Sequence, residues 1–224
     1  MTSSVVLVGL FTAVATLLAI NGSISDDSFI RTQDVPTPTV ENNKPIIGIL
    51  AQPPEGDDCP SDKTYDTYLA ASYVKFAEMA GIRVVPISYD IPREQLTSLL
   101  DQLNGVIFPG GGTMLIQGDS YTPYFSVESF IFETAKQKND QGIHFPILGT
   151  CLGFQSLILL PMEKQFLDIC AAQESVINQT LVNRDTTRTY AQAPESLVES
   201  IETKKITYEN HIGCVTTSHY SQDP

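Results

Sequence analysis

Apolar residues along this chain follow two alternating rhythms. Short, nearly unbroken apolar runs occur at Pro45-Ile46-Ile47-Gly48-Ile49-Leu50, Val84-Val85-Pro86-Ile87, Gly105-Val106-Ile107-Phe108 and His144-Phe145-Pro146-Ile147-Leu148-Gly149. Their length, their β-branched residues and their proline or glycine borders predict buried strands. Between them, apolar side chains return every three or four positions. Tyr68, Ala71, Ser72, Phe76, Met79 and Ala80 predict a helix over 66–80 that Gly81 closes. Leu96, Leu99, Leu100 and Leu103 predict a second helix, and Phe125, Phe130, Ile131 and Phe132 a third over 123–138. Leu152 to Leu160 is apolar throughout and reads as a helix that follows the fourth strand at once. Strands alternating with helices imply parallel βαβ units, with a sheet covered on both faces. After residue 170 the pattern weakens: Ser175 to Ile177 and Ile206 to Tyr208 are candidate strands, and Leu181 to Pro194 is a polar excursion.

The N-terminal segment stands outside this scheme. Val5 to Ile20 is a run of roughly 16 apolar residues, followed by Asn21-Gly22-Ser23, where the apolar region of a signal peptide belongs. We expect a signal peptide over 1–24, a linker or pro-segment with Pro36 and Pro38 over 25–44, and one α/β domain over 45–224. A membrane anchor is the competing reading of the first segment, and no stable membrane insertion is expected of the rest. Entry into the secretory pathway gives an extracellular, lysosomal or vacuolar location. It would also give meaning to the glycosylation acceptor at Asn178, in Asn178-Gln179-Thr180.

Charge narrows the partners. The net charge of −13, from 26 acidic and 13 basic side chains, disfavours nucleic acid and anionic membrane. An anionic small molecule remains compatible if a local pocket overrides the mean. Cys59, Cys151, Cys170 and Cys214 form no C-x-x-C pair and show no metal-ligand spacing, so no metal is expected. In an oxidising compartment four cysteines allow two disulfides, but Cys151 has another assignment.

Gly149-Thr150-Cys151-Leu152-Gly153 has the form of a nucleophile elbow, in which a strand enters a strained turn, a helix leaves it, and small flanking residues relieve the reversal. A helix N-terminus at the apex favours a thiolate. The alternative is a small buried cysteine at a strand end that happens to have glycine neighbours. Pro109-Gly110-Gly111-Gly112 also ends a strand, which brings both motifs to the carboxyl edge of the sheet, where open α/β sheets bind ligands. The backbone N–H groups of Gly111 and Leu152 are candidate oxyanion donors. A plain glycine-rich turn is the bland reading. No G-x-G-x-x-G follows the first strand, so a dinucleotide loop fits less well.

Together with Ala70-Ala71-Ser72-Tyr73-Val74-Lys75, Ala80-Gly81-Ile82-Arg83-Val84-Val85-Pro86 and Asn104-Gly105-Val106-Ile107-Phe108-Pro109-Gly110-Gly111, these blocks resemble γ-glutamyl hydrolases, within the class I glutamine amidotransferase-like superfamily. The resemblance runs over about residues 44 to 160. It implies a three-layer, flavodoxin-like α/β sandwich, incomplete towards the C-terminus in this chain. It also implies a cysteine hydrolase that cuts γ-linked glutamate from folyl-poly-γ-glutamates through a thioester on Cys151, thiol chemistry that needs no organic cofactor, and a homodimer. Tyr68 and His211 match family positions beside the substrate. The family draws its catalytic histidine from a Trp-His-Pro-Glu segment, whereas these 224 residues contain no tryptophan and only His144, His211 and His219. His144 precedes the nucleophile strand and so falls at its far end. The residues leave two other classes open: a noncatalytic binder of γ-glutamyl ligands, and a glutamine amidotransferase-type subunit.

Overall fold

The four apolar runs form one parallel sheet in a computed structural model that describes residues 42–54, 65–162, 167–187 and 190–216. The expected signal peptide, all but the end of the linker, Cys59 and His219 lie outside the described residues. Strands β1 (Ile46–Leu50), β2 (Arg83–Ile87), β3 (Val106–Phe108) and β6 (Ile147–Gly149) lie in the order β2-β1-β3-β6. The register sets Ile49 beside Ile107 and Phe108 beside Gly149. The chain leaves β1 in one direction for β2 and returns on the other side for β3. This reversal opens a crevice at the carboxyl ends of β1 and β3.

Alternation along the strands sorts their side chains onto two faces. Ile47, Ile49, Ile107 and Leu148 pack with Ala77, Tyr73 and Val74 of α1 (Ala71–Met79). Val106, Phe108 and Ile147 face the other way. They join Leu96 and Leu100 of α2 (Arg93–Leu100), Phe125 and Ile131 of α3 (Pro123–Asp140), and Leu157 and Leu160 of α4 (Leu152–Met162). The sheet is therefore covered on both faces, as its continuous apolar strands require. Thr122 caps α3 by accepting a hydrogen bond from Phe125 N at 3.3 Å, and Pro123 occupies the first turn.

Three local differences from the sequence reading have physical causes. The first helix begins at Ala71 rather than 66, because Tyr68 and Gln52 exchange backbone hydrogen bonds of 2.7 and 2.8 Å and hold 65–70 extended. A small hairpin, β4 (Ile116–Gln117) and β5 (Ser120–Tyr121), turns at Gly118 with φ of +60°. The two candidate strands after residue 170 are longer than expected, β7 (Asp168–Ile177) and β8 (Thr207–Cys214), and they pair with each other as a separate antiparallel ribbon. A short 3-10 turn (Arg184–Thr186) and helix α5 (Glu195–Thr203) connect them.

Candidate active site

β6 delivers the chain to Cys151 with its backbone already committed. Thr150 N donates to the Phe108 carbonyl at 3.1 Å, and Gln155 N to the Cys151 carbonyl at 3.0 Å, so strand and helix are both formed within a few residues. Between them Cys151 adopts φ of +52°, a left-handed conformation that costs a β-carbon residue about 1 kcal/mol or more. The flanking glycines are needed for contact. A β-carbon on Gly149 would sit 2.5 Å from the Gly153 carbonyl oxygen, and one on Gly153 would collide with the Phe108 carbonyl of β3. The elbow is thus seated directly against the strand that carries the glycine loop.

That loop is oriented one peptide at a time. Gly110 N donates to the Tyr73 hydroxyl at 2.7 Å, and the Gly110 carbonyl accepts from Gln52 Nε2 at 3.0 Å. In a trans peptide the C=O and the following N–H point in opposite directions. Gln52 therefore aims the Gly111 N–H away from itself, and that N–H, like the N–H of Leu152, favours the Cys151 thiolate. Gln52 is buried and fixed in turn, its Oε1 accepting from Thr113 Oγ1 at 3.1 Å. The space is exclusive. A β-carbon on Gly110 would lie 2.7 Å from Tyr73 Oη and 2.9 Å from Cys151 Cβ, and one on Gly111 would strike the Gln52 amide.

Burial raises the Cys151 thiol above its ordinary value; the Leu152 and Gly111 N–H groups pull it down, and the Glu209 carboxylate pushes it up. Burial likewise raises Tyr73, against the lowering bond from Gly110. Behind the loop, Tyr124 lies beside Gln52 and Glu128, and Glu128 beside Ser156. Glu128 is fully buried, and neither its carboxylate oxygens nor the Tyr124 hydroxyl completes a hydrogen bond. Desolvation carries the Glu128 carboxyl up to about 8 despite the nearby Ser156 and Tyr124 hydroxyls, so it is mostly neutral at pH 7.

The ribbon supplies the opposite wall. Gln155, one helical turn after Cys151, donates through Nε2 to the Gly213 carbonyl at 2.8 Å. Glu209 and His211 alternate with exposed Tyr208, Asn210 and Ile212 along β8. His211 Nε2 lies 3.3 Å from Glu209 Oε2, and Gln179 Nε2 donates to Glu209 Oε1 at 2.9 Å.

The sequence-predicted residues separate accordingly. Gly111 and Leu152 both act on Cys151 through their backbone N–H groups. Tyr68 lies at the carboxyl edge through its backbone bridge to Gln52. His211 is tied to the Glu209 that acts on Cys151. His144 is exposed at the start of β6, the far edge. Arg83 also belongs to that edge, where its guanidinium donates to the Lys44 carbonyl at 2.7 Å. Asn178 is exposed, its amide donating to the Glu202 carbonyl at 2.7 Å. Sequence reasoning missed Gln52, Tyr73, Glu128, Gln155 and Glu209. Gln52 had a usable signal: it is the first polar residue beyond β1, at the edge where α/β sheets bind ligands. Among the described residues no cluster of three or more His, Cys, Asp or Glu is arranged to hold a metal, and no helix is long and apolar enough to cross a membrane.

A thiol aimed at by two backbone donors, on a strained turn at a helix N-terminus, is suited to acyl transfer. Comparison with known proteins points the same way. Residues 45–161 match the peptidase C26 family. Gamma-glutamyl hydrolase 1 of Arabidopsis thaliana is 35% identical over 188 residues, which are 82% of this chain and 52% of that protein. The gamma-glutamyl hydrolase of Rattus norvegicus is 34% identical over 184 residues, 81% of this chain and 56% of that protein. The Homo sapiens gamma-glutamyl hydrolase is 42% identical over 117 residues, 52% of this chain and 35% of that protein. The chain spans about half the length of the first two of these relatives.

Proposed function

Because the chain belongs to the peptidase C26 family, we propose that it hydrolyses γ-glutamyl amide bonds with Cys151 as nucleophile and folyl-poly-γ-glutamate as substrate. One observation carries this reading: the glycine loop is packed against the elbow, a β-carbon on Gly110 falling 2.9 Å from Cys151 Cβ, and the N–H groups of Gly111 and Leu152 both favour the Cys151 thiolate. A carbonyl carbon bonded to that sulfur would hold its oxygen within reach of the same two donors. They would stabilise the oxyanion as it develops. The thiolate adds to the γ-carbonyl carbon, and the C–N bond breaks as the departing nitrogen takes a proton. The departing amine carries the glutamate that was γ-linked; water then cleaves the resulting thioester, releasing the shortened folyl-glutamate as its γ-carboxylate and restoring the thiol.

Proton transfer is the second requirement. The resemblance assigns it to a histidine in a Trp-His-Pro-Glu segment, and these residues include no tryptophan. We therefore read the 224 residues as supplying the nucleophile and the oxyanion donors, with His211, braced by Glu209, as a cleft residue beside the substrate, and Tyr68 at its rim. Entry by the secretory route accords with the apolar run of 5–20 and with an exposed acceptor at Asn178.

The test is acylation. With γ-glutamyl p-nitroanilide, whose leaving group needs less protonation than an alkyl amine, the chain should form a glutamyl adduct on the Cys151 peptide, detectable by mass spectrometry. Cys151→Ala should form none. An adduct elsewhere, or equal p-nitroaniline release by both proteins, would sink the assignment. The raised Cys151 thiol favours one competing reading, a noncatalytic binder of γ-glutamyl ligands. Saturable binding of folyl-poly-γ-glutamate with no adduct even at pH 9 would decide for it.

A further inference from the structure

Three cysteines, Cys151, Cys170 and Cys214, are reduced in the described structure, and the last two have no part in the acyl chemistry. Both lie on the β7–β8 ribbon. The ladder pairs Asp168 with Cys214 and Ile169 with Gly213, then shifts register before Ala172 meets His211. Cys170 falls in that shifted stretch. Its Sγ donates to the Ile212 carbonyl at 3.5 Å, two residues before Cys214 on the neighbouring strand. Cys170 lies two residues along β7 from Asp168, the ladder partner of Cys214, so the two cysteines are diagonal across the ribbon, and a disulfide between them would draw the two strands together there. Both are part-exposed, so a small oxidant can reach them.

Cys170 also stands among carboxylates. Asp168 and Glu209 both act on it and, with burial and the second thiol, disfavour its thiolate. The position matters for the site as well. Cys214 follows Gly213, whose carbonyl holds the Gln155 amide of α4, and the ribbon carries Glu209 and His211.

We propose that Cys170 and Cys214 are a redox pair that closes into a cross-strand disulfide in the presence of a small-molecule disulfide, and that this bond fixes the strand bearing Glu209 and His211 against the nucleophile. In the exchange, two protein thiols and one oxidised glutathione give one protein disulfide and two molecules of reduced glutathione. Each protein sulfur loses its proton to a departing glutathione sulfur. The bond encloses residues 171–213, including the 3-10 turn and α5, and thereby restricts the unfolded chain over a long loop.

The experiment is a linkage map. The full chain and its Cys151→Ala variant, which removes the competing nucleophile, are equilibrated in glutathione buffers of graded potential. Remaining thiols are blocked with N-ethylmaleimide, and the protein is digested without reduction. The expected result is a Cys170 peptide joined to a Cys214 peptide within one chain. The oxidised chain should also melt roughly 5–10 °C above the reduced one, and β8 amides should exchange at least tenfold more slowly. Recovery of Cys170 as the maleimide adduct in excess oxidised glutathione, or joined to Cys59, would overturn the pairing. A linked chain with unchanged exchange along β8 would overturn the effect on the site. Neither readout depends on hydrolysis. Failure of this pair therefore leaves the acyl-transfer reading standing, and the reverse also holds.

Discussion

Cys151 and the Gly110–Gly111 peptide follow β6 and β3, neighbouring strands packed on both faces, where each glycine is in contact with another element. Glu209 and His211 ride on a two-stranded ribbon whose register shifts twice and whose Ile169, Tyr208 and Ile212 are exposed. The first wall of the cleft inherits its precision from the core. The second depends on a few side-chain bonds, among them Gln155 to Gly213 and Gln179 to Glu209. This division matches the chemistry each wall would perform. Oxyanion donors must be in place before charge develops, because reorganising them during reaction forfeits their effect. A wall that meets substrates of varying length tolerates looser attachment.

Breaking the rigid wall should have the largest effect on acylation. Gln52→Leu removes the donor that orients the Gly110–Gly111 peptide while leaving the thiol untouched. Acylation by γ-glutamyl p-nitroanilide should slow by about 10²-fold in kcat with little change in KM. Gln52→Glu, equal in shape but unable as a carboxylate to donate to the Gly110 carbonyl, should behave alike. A pure rise in KM would remove Gln52 from this role.

A separate effect, on stability, lies in the same wall. Glu128 titrates near 8 in the folded chain against an ordinary 4.5. Between those values the unfolded chain has released a proton that the folded chain still holds. Stability from this group is therefore fully present below about pH 4.5 and is lost as pH rises through about 8. Glu128→Gln should abolish that slope and leave the protein more stable at pH 8 by on the order of 4 kcal/mol. Urea midpoints from pH 4 to 9 measure both. A wild-type midpoint that rises over this range would show Glu128 to be ionised and partnered.

The smallest effect should come from the loose wall. Glu209→Gln removes the carboxylate that disfavours the Cys151 thiolate, so the pH midpoint of Cys151 alkylation by iodoacetamide should fall by a fraction of a unit. An unchanged midpoint would mean that the ribbon sits farther from the thiol in solution.

The two walls also differed in how plainly the sequence announced them. Every strand of the parallel sheet was legible, because a strand buried on both faces must be apolar along its whole length. Cys151, Gly111 and Leu152 were legible because an elbow and a close backbone approach both require glycine at fixed offsets. Gln52 offered only its place just beyond β1, and Glu128 left no trace at all: a single polar residue within a helix looks the same whether it is solvated or buried. The ribbon was half-legible. Its inward positions hold Glu209 and His211 and its outward ones Tyr208 and Ile212, which inverts the usual polarity of a surface strand. The start of α1 was misjudged because Tyr68 keeps helical spacing while its backbone bonds to Gln52, a tertiary contact that periodicity cannot report.

The backbone at Cys151 has a consequence for how such a protein would change over generations. At φ of +52° the residue best suited to the position is glycine. Cys151→Gly would relax the turn and abolish the thiol in one substitution. A lineage released from selection for acyl transfer would meet little structural resistance to that replacement. Retention of the thiol against that strain is what selection for acyl transfer would require, and the codon at this position is the place to compare orthologues.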